Sequence, residues 1–124
     1  MINFLHIRQH FHEYHWNKSQ WAYYYCKDIK DKPDIYKYIT NSYWAYHYCH
    51  IIKDRPEVYK YITKSWEAYF YCLDVKDRTE VRKYITESEG AYYYCRNIED
   101  RPEIRKFITK DEHLKLYQQF KNSP

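Results

Sequence analysis

Four cysteines, the residues of this chain best suited to redox or metal chemistry, recur at a constant interval of 23 residues: Cys26, Cys49, Cys72 and Cys95. Structural zinc sites commonly draw their ligands from C-x-x-C pairs, and the chain contains no such pair. Packed helices lie about 8–10 Å apart, whereas a disulfide cannot close beyond a Cα separation of about 7 Å. We therefore predict four core thiols that form no disulfide and bind no metal.

Histidines are the second group that could bind a metal. Pairs at helical spacing are His6 with His10, His12 with His15, and His47 with His50. The stretch HEYH at residues 12–15 is one residue shorter than the H-E-x-x-H arrangement that places two zinc ligands and a base on one helix face. We predict no metal site, and a transition-metal ion on the N-terminal histidines remains the alternative.

Catalytic chemistry lacks a convergent cluster of nucleophile, base and orienting residue. The acidic and hydroxyl residues, such as Asp54, Glu57 and Ser42, recur in every repeat at positions where helices begin. Gly90 is the only glycine, so there is no glycine-rich loop to hold a phosphate. The sequence therefore predicts a protein that is not an enzyme and needs no cofactor.

The interval of the cysteines extends to most of the chain, which predicts the architecture. The aligned units are SQWAYYYCKDIKDKPDIYKYITN from Ser19, SYWAYHYCHIIKDRPEVYKYITK from Ser42, SWEAYFYCLDVKDRTEVRKYITE from Ser65 and SEGAYYYCRNIEDRPEIRKFITK from Ser88. Short repeats of fixed length are typical of solenoids, whose units bury their apolar faces only by stacking. We predict one all-α domain over residues 1–124, with an N-terminal cap at 1–18, four repeats at 19–110 and a C-terminal cap at 111–124.

Each repeat contains two signals for the start of a helix. In the second repeat we predict a first helix from about Tyr43 to Lys53 and a second from about Arg55 to Thr63. Good N-cap residues precede the first helices: Ser19, Ser42, Ser65, Ser88 and Asp111. Acidic capping residues precede the second helices: Asp31, Asp54, Asp77 and Asp100. A proline in the first turn of three of these second helices fits, because its missing N–H would have no helical partner.

Positions that stay constant between repeats predict the core. The first helix keeps Ala45, Tyr48, Cys49 and Ile52 or close equivalents, and these lie on one side of a helix. In the second helix the residues equivalent to Val58, Tyr61 and Ile62 form another apolar face.

Positions that vary between repeats fall on the opposite side of the first helix and are rich in aromatic residues. An outward face of this composition resembles a protein interface more than a solvated surface. The alternative is that tryptophans 21, 44 and 66 pack between repeats. The predicted protein-binding residues are Trp21, Tyr24, Tyr43, Trp44, His47, His50, Trp66, Phe70, Leu73, Tyr93 and Arg96.

Basic residues give the competing hypothesis, a nucleic-acid-binding protein. Two rows of cations beside exposed aromatic rings would follow a phosphate backbone and stack bases. However, 21 basic and 17 acidic residues leave a net charge of only +4, which is small for a dedicated nucleic-acid module. The residues in these rows are Lys37, Arg55, Lys60, Arg78, Arg82, Lys83, Arg101, Arg105 and Lys106.

The recurring string W-A-Y-x-Y-C-x-x-I-K-D-R-P-E-V-x-K-Y-I-T, over about residues 19–110, resembles the short tandem helical repeats of bacteriophage, mobile-element and giant-virus proteins. The resemblance carries over no functional residue. It implies a phage-type accessory protein, and one group of these consists of small non-enzymatic inhibitors of host defence or nucleic-acid machinery.

The sequence shows no apolar stretch typical of a signal peptide or a membrane span. We therefore expect a soluble protein in the cytoplasm, that of the host cell if the chain is phage-encoded. As its function we predict binding of a protein partner through the variable face, as a monomer or a small homo-oligomer, with occlusion of a host enzyme as the specific form.

Overall fold

A computed structural model describes residues 17–124, and within this range the chain forms nine α-helices and no strand. Long and short helices alternate: α1 (Lys18–Asp28), α2 (Pro33–Tyr36), α3 (Ser42–Ile51), α4 (Pro56–Tyr59), α5 (Ser65–Asp74), α6 (Thr79–Arg82), α7 (Ser88–Asn97), α8 (Pro102–Arg105) and α9 (Asp111–Asn122). The predicted all-α class, with a helix-turn-helix hairpin every 23 residues, is confirmed. The predicted N-terminal cap and its histidine pairs lie outside the described residues, apart from positions 17 and 18.

The chain divides into two compact units, with the boundary in the sequence between Tyr61 and Ile62. In the first unit α1 packs against α2 and α3, and α3 packs against α4. In the second unit α5 packs against α6 and α7, while α7 packs against α8 and α9. Each unit therefore places a long helix beside the next long helix, as in an α-solenoid. That the whole chain forms one domain stays a prediction.

The short helices are shorter than the sequence predicts. The second helix of the second repeat was expected over about residues 55–63, but the α-helix covers Pro56–Tyr59. Beyond it the Tyr61 N–H bonds to the Val58 carbonyl at 3.0 Å, a contact with the third residue back. The α-helical bonding to the fourth residue back is thus replaced by a tighter turn. The predicted place of proline is confirmed, since Pro33, Pro56 and Pro102 are each the first helical residue.

The predicted N-caps of the long helices are wrong by one or two positions. Asn41 is the N-cap of α3, and its side-chain oxygen accepts a bond of 3.1 Å from the Trp44 N–H. Asn17 does the same for Gln20 at 2.8 Å in α1. The N-cap residues of α5, α7 and α9 are Lys64, Glu87 and Lys110, and none of them makes a side-chain capping bond. The serines stand just inside the helices and are buried, because their hydroxyls serve another contact described below.

The predicted core positions are mostly confirmed. Ala45, Tyr48 and Cys49 are buried, as are their equivalents in the third and fourth repeats. Val58 and Ile62 are buried with their equivalents in all four repeats, whereas Tyr25, the equivalent of Tyr48 in the first repeat, is half-buried. The tyrosine at position 46 of the second repeat is buried too, although the pattern placed it at the edge of the apolar stripe. Position 52 and position 61 are half-buried. The constant residues therefore form the packed interior of each unit, which leaves the variable positions to form surfaces.

Candidate protein-binding surface

Serine hydroxyls join the start of a repeat to the backbone at the end of the same repeat. The Ser19 hydroxyl accepts bonds from the Thr40 and Asn41 N–H groups at 3.0 and 3.1 Å, and donates to the Tyr38 carbonyl. In the second unit the Ser88 hydroxyl accepts from Thr109 and Lys110 N–H groups, both at 3.1 Å. Because each serine bonds backbone atoms just before the following long helix, it helps to set the position of that helix and of its outer face.

A second constant device replaces the predicted acidic caps. The N-cap residues of α4 and α8 are Arg55 and Arg101 rather than aspartates, and neither arginine makes a side-chain capping bond. Instead, the Tyr48 hydroxyl donates to Asp31 at 2.6 Å, and Arg55 Nε donates to the same hydroxyl at 2.7 Å. Arg55 also bonds Asp31 directly at 3.0 Å. The aspartates therefore bind a tyrosine and an arginine of the next repeat rather than capping a helix.

The same trio recurs in the second unit with one more cation. Tyr94 donates to both oxygens of Asp77 at 2.9 and 2.8 Å, and Arg101 Nε donates to Tyr94 at 2.8 Å. Arg82 bonds Asp77 at 2.9 Å. Burial would raise the pKa of Asp77, but the hydrogen bonds from Arg82 and Tyr94 outweigh it and lower the pKa. Asp77 is therefore held ionised, and its charge-assisted bonds tie α7 to the segment that precedes α6.

One of the predicted surface positions packs against the preceding repeat in the second unit. It is occupied by Trp21, Trp44, Glu67, Gly90 and His113 in successive repeats. A Cβ atom on Gly90 would lie 3.0 Å from the Ser65 hydroxyl, and His113 Nδ1 lies 2.7 Å from the Ser88 hydroxyl. The Trp21 side chain is only 6% exposed. The prediction that Trp21 forms part of an outward face is therefore wrong, because its ring is buried beside Tyr25 and Tyr38.

In the first unit Trp44 and its neighbours form an aromatic cluster on α1 and α3. Trp44 is half-buried against Tyr23 and Tyr24, with ring centroids 5.3 and 5.7 Å apart. Tyr43 covers Trp44 edge-on at 4.9 Å and His47 at 4.4 Å, and its side chain is 50% exposed. We call this group, together with the 52% exposed Ile51, the first aromatic patch. Its outer members are held by the inner rings, so they present apolar area in one geometry.

Two histidines complete the first aromatic patch. His50 is exposed, and its Nδ1 lies 3.2 Å from the hydroxyl of buried Tyr46. Burial, with a smaller contribution from the charge of His50, lowers the pKa of His47. A neutral His47 lies edge-on or tilted to the neighbouring rings and has no charge to desolvate when the patch is covered.

The second unit carries a corresponding group on α5 and α7. Trp66 stacks on Phe70 at 5.6 Å and lies 6.0 Å from Tyr93. Phe70 is 39% exposed and Leu73, one turn along the same helix, is 45% exposed. We call these four residues the second aromatic patch. Most of the residues predicted to bind a protein therefore lie in two patches, the first aromatic patch in the first unit and the second aromatic patch in the second unit.

The sequence interpretation missed two surface residues, Leu116 and Phe120 of α9, both of which are exposed. Their equivalents one repeat earlier are Tyr93 and Asn97, so the 23-residue register was the available signal. The fifth unit departs from the repeat pattern elsewhere, which concealed this correspondence. Between α7 and α9 lies an open groove of about 480 Å³, lined in part by Arg96, Leu116 and Phe120.

The predicted basic rows separate into two kinds of residue. Arg55, Arg82, Arg101 and Arg105 each lie within 3.3 Å of an aspartate oxygen. Arg78 Nε donates to the Tyr71 hydroxyl at 2.7 Å. The four lysines of these rows are exposed instead: Lys37, Lys60, Lys83 and Lys106. Each ammonium group lies 5.1–5.3 Å from the aromatic ring of the next residue in the sequence. The arginines are thus partly neutralised within the fold, and the lysines are the accessible cations of these rows.

All four cysteines are buried free thiols, as predicted. Burial raises the pKa of Cys26 and Cys72 to about 12 and that of Cys95 to about 11. Thiolates are the reactive form of cysteine, so these side chains are poor nucleophiles. Among residues 17–124 no three His, Cys, Asp or Glu side chains come together as a metal site would require.

No protein-family model, curated protein or solved structure matches this chain. In the part that the structure describes, no helix is long and apolar enough to cross a bilayer.

Proposed function

We propose that this chain is a non-enzymatic binding module that engages a protein partner through the aromatic patches on its long helices. The observation that carries the proposal is the contrast between positions of one helix. On α5 the side chains of Ala68, Tyr71 and Cys72 are buried in the core. Phe70 and Leu73 of the same helix are exposed although they are apolar. Exposed aromatic and aliphatic groups on rigid helices are typical anchors of protein interfaces.

The resemblance to phage-type repeat proteins supports a more specific form of the proposal. A small protein that covers a functional surface of a host enzyme needs no catalytic group of its own. The buried thiols, and acidic residues bound in tyrosine and arginine contacts, fit a scaffold whose polar groups serve the fold. We therefore propose that binding occludes a host defence or nucleic-acid-processing protein in the cytoplasm of the host cell.

Nucleic-acid binding is the second candidate function, favoured by the exposed lysine at the same position of every repeat. Such a row would contact phosphates, and its binding would weaken steeply as salt concentration rises. An interface anchored by aromatic side chains would respond far less to salt. The arginine contacts with aspartates leave fewer cations for phosphate, which is why we place this function second.

The test uses affinity capture from host lysate, followed by binding measurements with the purified captured protein. Phe70→Gln with Leu73→Gln removes exposed apolar area of the second aromatic patch and keeps good helix formers. Ile51→Gln does the same in the first. We expect each change to weaken binding by about tenfold or more, as for interface anchors. A Trp44→Ala change is less informative, because Trp44 also packs on Tyr23 inside the unit.

The control is Lys60→Gln with Lys83→Gln, which changes exposed residues of the short-helix segments. Binding of the captured protein should be unaffected by this control, by nuclease treatment and by moderate salt. If the lysine variant loses binding while the apolar variants keep it, the protein-binding proposal is wrong and nucleic-acid binding replaces it.

A further inference from the structure

The groove between α7 and α9 of the second unit contains a cation without an acidic partner. Arg96 donates from Nη1 to the Tyr92 hydroxyl at 3.3 Å, and no carboxylate in the described residues lies within ion-pair distance of it. By contrast, Arg82, Arg101 and Arg105 of the same unit each pair with an aspartate. A guanidinium has five N–H donors, so most of those on Arg96 remain available.

The fold does not require an arginine at this position. The equivalent residues in the other repeats are Lys27, His50 and Leu73, followed by Gln119 in the C-terminal cap. A position that accepts a cation, an imidazole, an aliphatic chain and an amide contributes little to the stack itself. The guanidinium of Arg96 is therefore available to bind a ligand.

The rest of the lining combines apolar and amide groups. Leu116 and Phe120 are 42% and 37% exposed, which leaves apolar area open on the α9 side. Asn97 and Gln119 line the same groove, and Asn97 Nδ2 donates to the Tyr69 hydroxyl at 2.8 Å. That bond orients the amide and leaves its oxygen as an acceptor. The carboxamide of Gln119 offers N–H donors and a carbonyl acceptor, which match the C=O and N–H of a peptide unit.

The amide groups of the groove favour an extended chain over a helix. The groove is open and has a volume of about 480 Å³. Backbone N–H and C=O groups bond to each other within an α-helix, whereas those of an extended segment are free to pair with the amides of the lining.

We propose that this groove binds an extended segment of the protein partner in which a carboxylate side chain neighbours an apolar side chain. The carboxylate pairs with Arg96, and the apolar side chain contacts Leu116 and Phe120. This inference rests on the proposed protein-binding function and specifies what part of the partner the second unit recognises. The lining contains Arg96 and no carboxylate, so its charge complements an acidic segment.

The probe is a displayed library of random 12-residue peptides, selected on the full chain. We expect enrichment of peptides with Asp or Glu next to Leu, Ile or Phe. Replacing the acid of a selected peptide by its amide should weaken binding at least tenfold. Arg96→Gln should abolish that preference for the acid, and Phe120→Ala should weaken the acidic and amide forms alike.

Lys115→Gln is the matched control, since it removes one positive charge from an exposed position of α9 outside the groove lining. This variant should keep the preference for the acidic peptide. A selection that yields no peptides, or only neutral or basic ones, overturns the inference, as does a preference that survives in Arg96→Gln. Partner binding that depends on Phe70 and Leu73 but not on Arg96 would retain the proposed function and reject the groove.

Discussion

The tyrosine that links successive repeats in the second unit gives the sharpest test of how the fold is held. Tyr94 is fully buried, and its hydroxyl bonds both oxygens of Asp77 and Nε of Arg101. Tyr94→Phe removes these bonds and leaves the ring in place. Each hydrogen bond to a charged group contributes about 1.5–3 kcal/mol.

The net loss should be smaller than the sum of these bonds. The side chains of Asp77 and Arg101 are 21% and 27% exposed, so water can replace part of what the hydroxyl supplied. Arg82 also continues to bond Asp77. We therefore expect Tyr94→Phe to lower the free energy of unfolding by about 2–3 kcal/mol, which corresponds to roughly 8–12 °C in Tm for a chain of this length.

The assay is urea unfolding followed by circular dichroism and by tryptophan fluorescence, whose transitions must coincide for a free energy to be extracted. Two variants calibrate it. Tyr117→Phe removes one bond to Asp100 and should cost about 1 kcal/mol. Tyr84→Phe removes a hydroxyl with no hydrogen bond in residues 17–124 and should change stability by less than about 0.5 kcal/mol. If Tyr94→Phe is as mild as Tyr84→Phe, the network does not stabilise the stack.

Two further predictions concern the C-terminal repeats. Burial would raise the pKa of Asp100, but hydrogen bonds from three donors outweigh it and lower the pKa to about 2. Since an unfolded aspartate titrates near about 3.9, Asp100 stabilises the fold above that pH and loses this contribution as pH falls through about 2. Acid titration of unfolding should show a smaller loss of stability over this range in Asp100→Asn. Ser88→Ala removes the acceptor of two backbone N–H groups and should lower the free energy of unfolding in urea by about 2 kcal/mol. The control Ser123→Ala, at the exposed end of α9, should lower it by less than about 0.5 kcal/mol. Equal losses of stability in the two variants would contradict the role of Ser88.

The spacing of the polar residues indicates contacts between repeats, which an interpretation limited to neighbouring residues in the sequence did not predict. Asp31, Tyr48 and Arg55 recur at the same intervals as Asp77, Tyr94 and Arg101. An aspartate followed by a short helix matches a capping signal, and that local interpretation was wrong. The actual partners are 17 and 24 residues away, a separation that links one repeat to the next. Once two long helices lie side by side, the tyrosine and arginine bring a hydroxyl and a full positive charge to the aspartate, whereas the first turn of a helix offers only N–H groups with a partial charge.

The prediction of the candidate surface was likewise right at some positions and wrong at another. Variation between repeats on one side of the long helices correctly indicated exposed residues such as Phe70 and Leu73. It misplaced Trp21, because the position that it shares with Gly90 and His113 varies for a different reason. In the second unit that position lies beside a serine of the preceding repeat, where a glycine in one repeat and a histidine in the next both fit. Variation in sequence therefore does not by itself distinguish a partner surface from an adaptable internal contact.

The sequence by itself determined the all-α class, the 23-residue hairpin, the prolines that open short helices and the buried free thiols. These follow from periodicity and backbone chemistry, which act over a few residues. Only the tertiary structure decided which hydroxyl meets which backbone group, which arginines are paired and where Arg96, Leu116 and Phe120 line one groove. The reason is that a polar side chain takes its partner from whatever the neighbouring helix brings within about 3 Å, and that neighbour is set by packing rather than by local sequence.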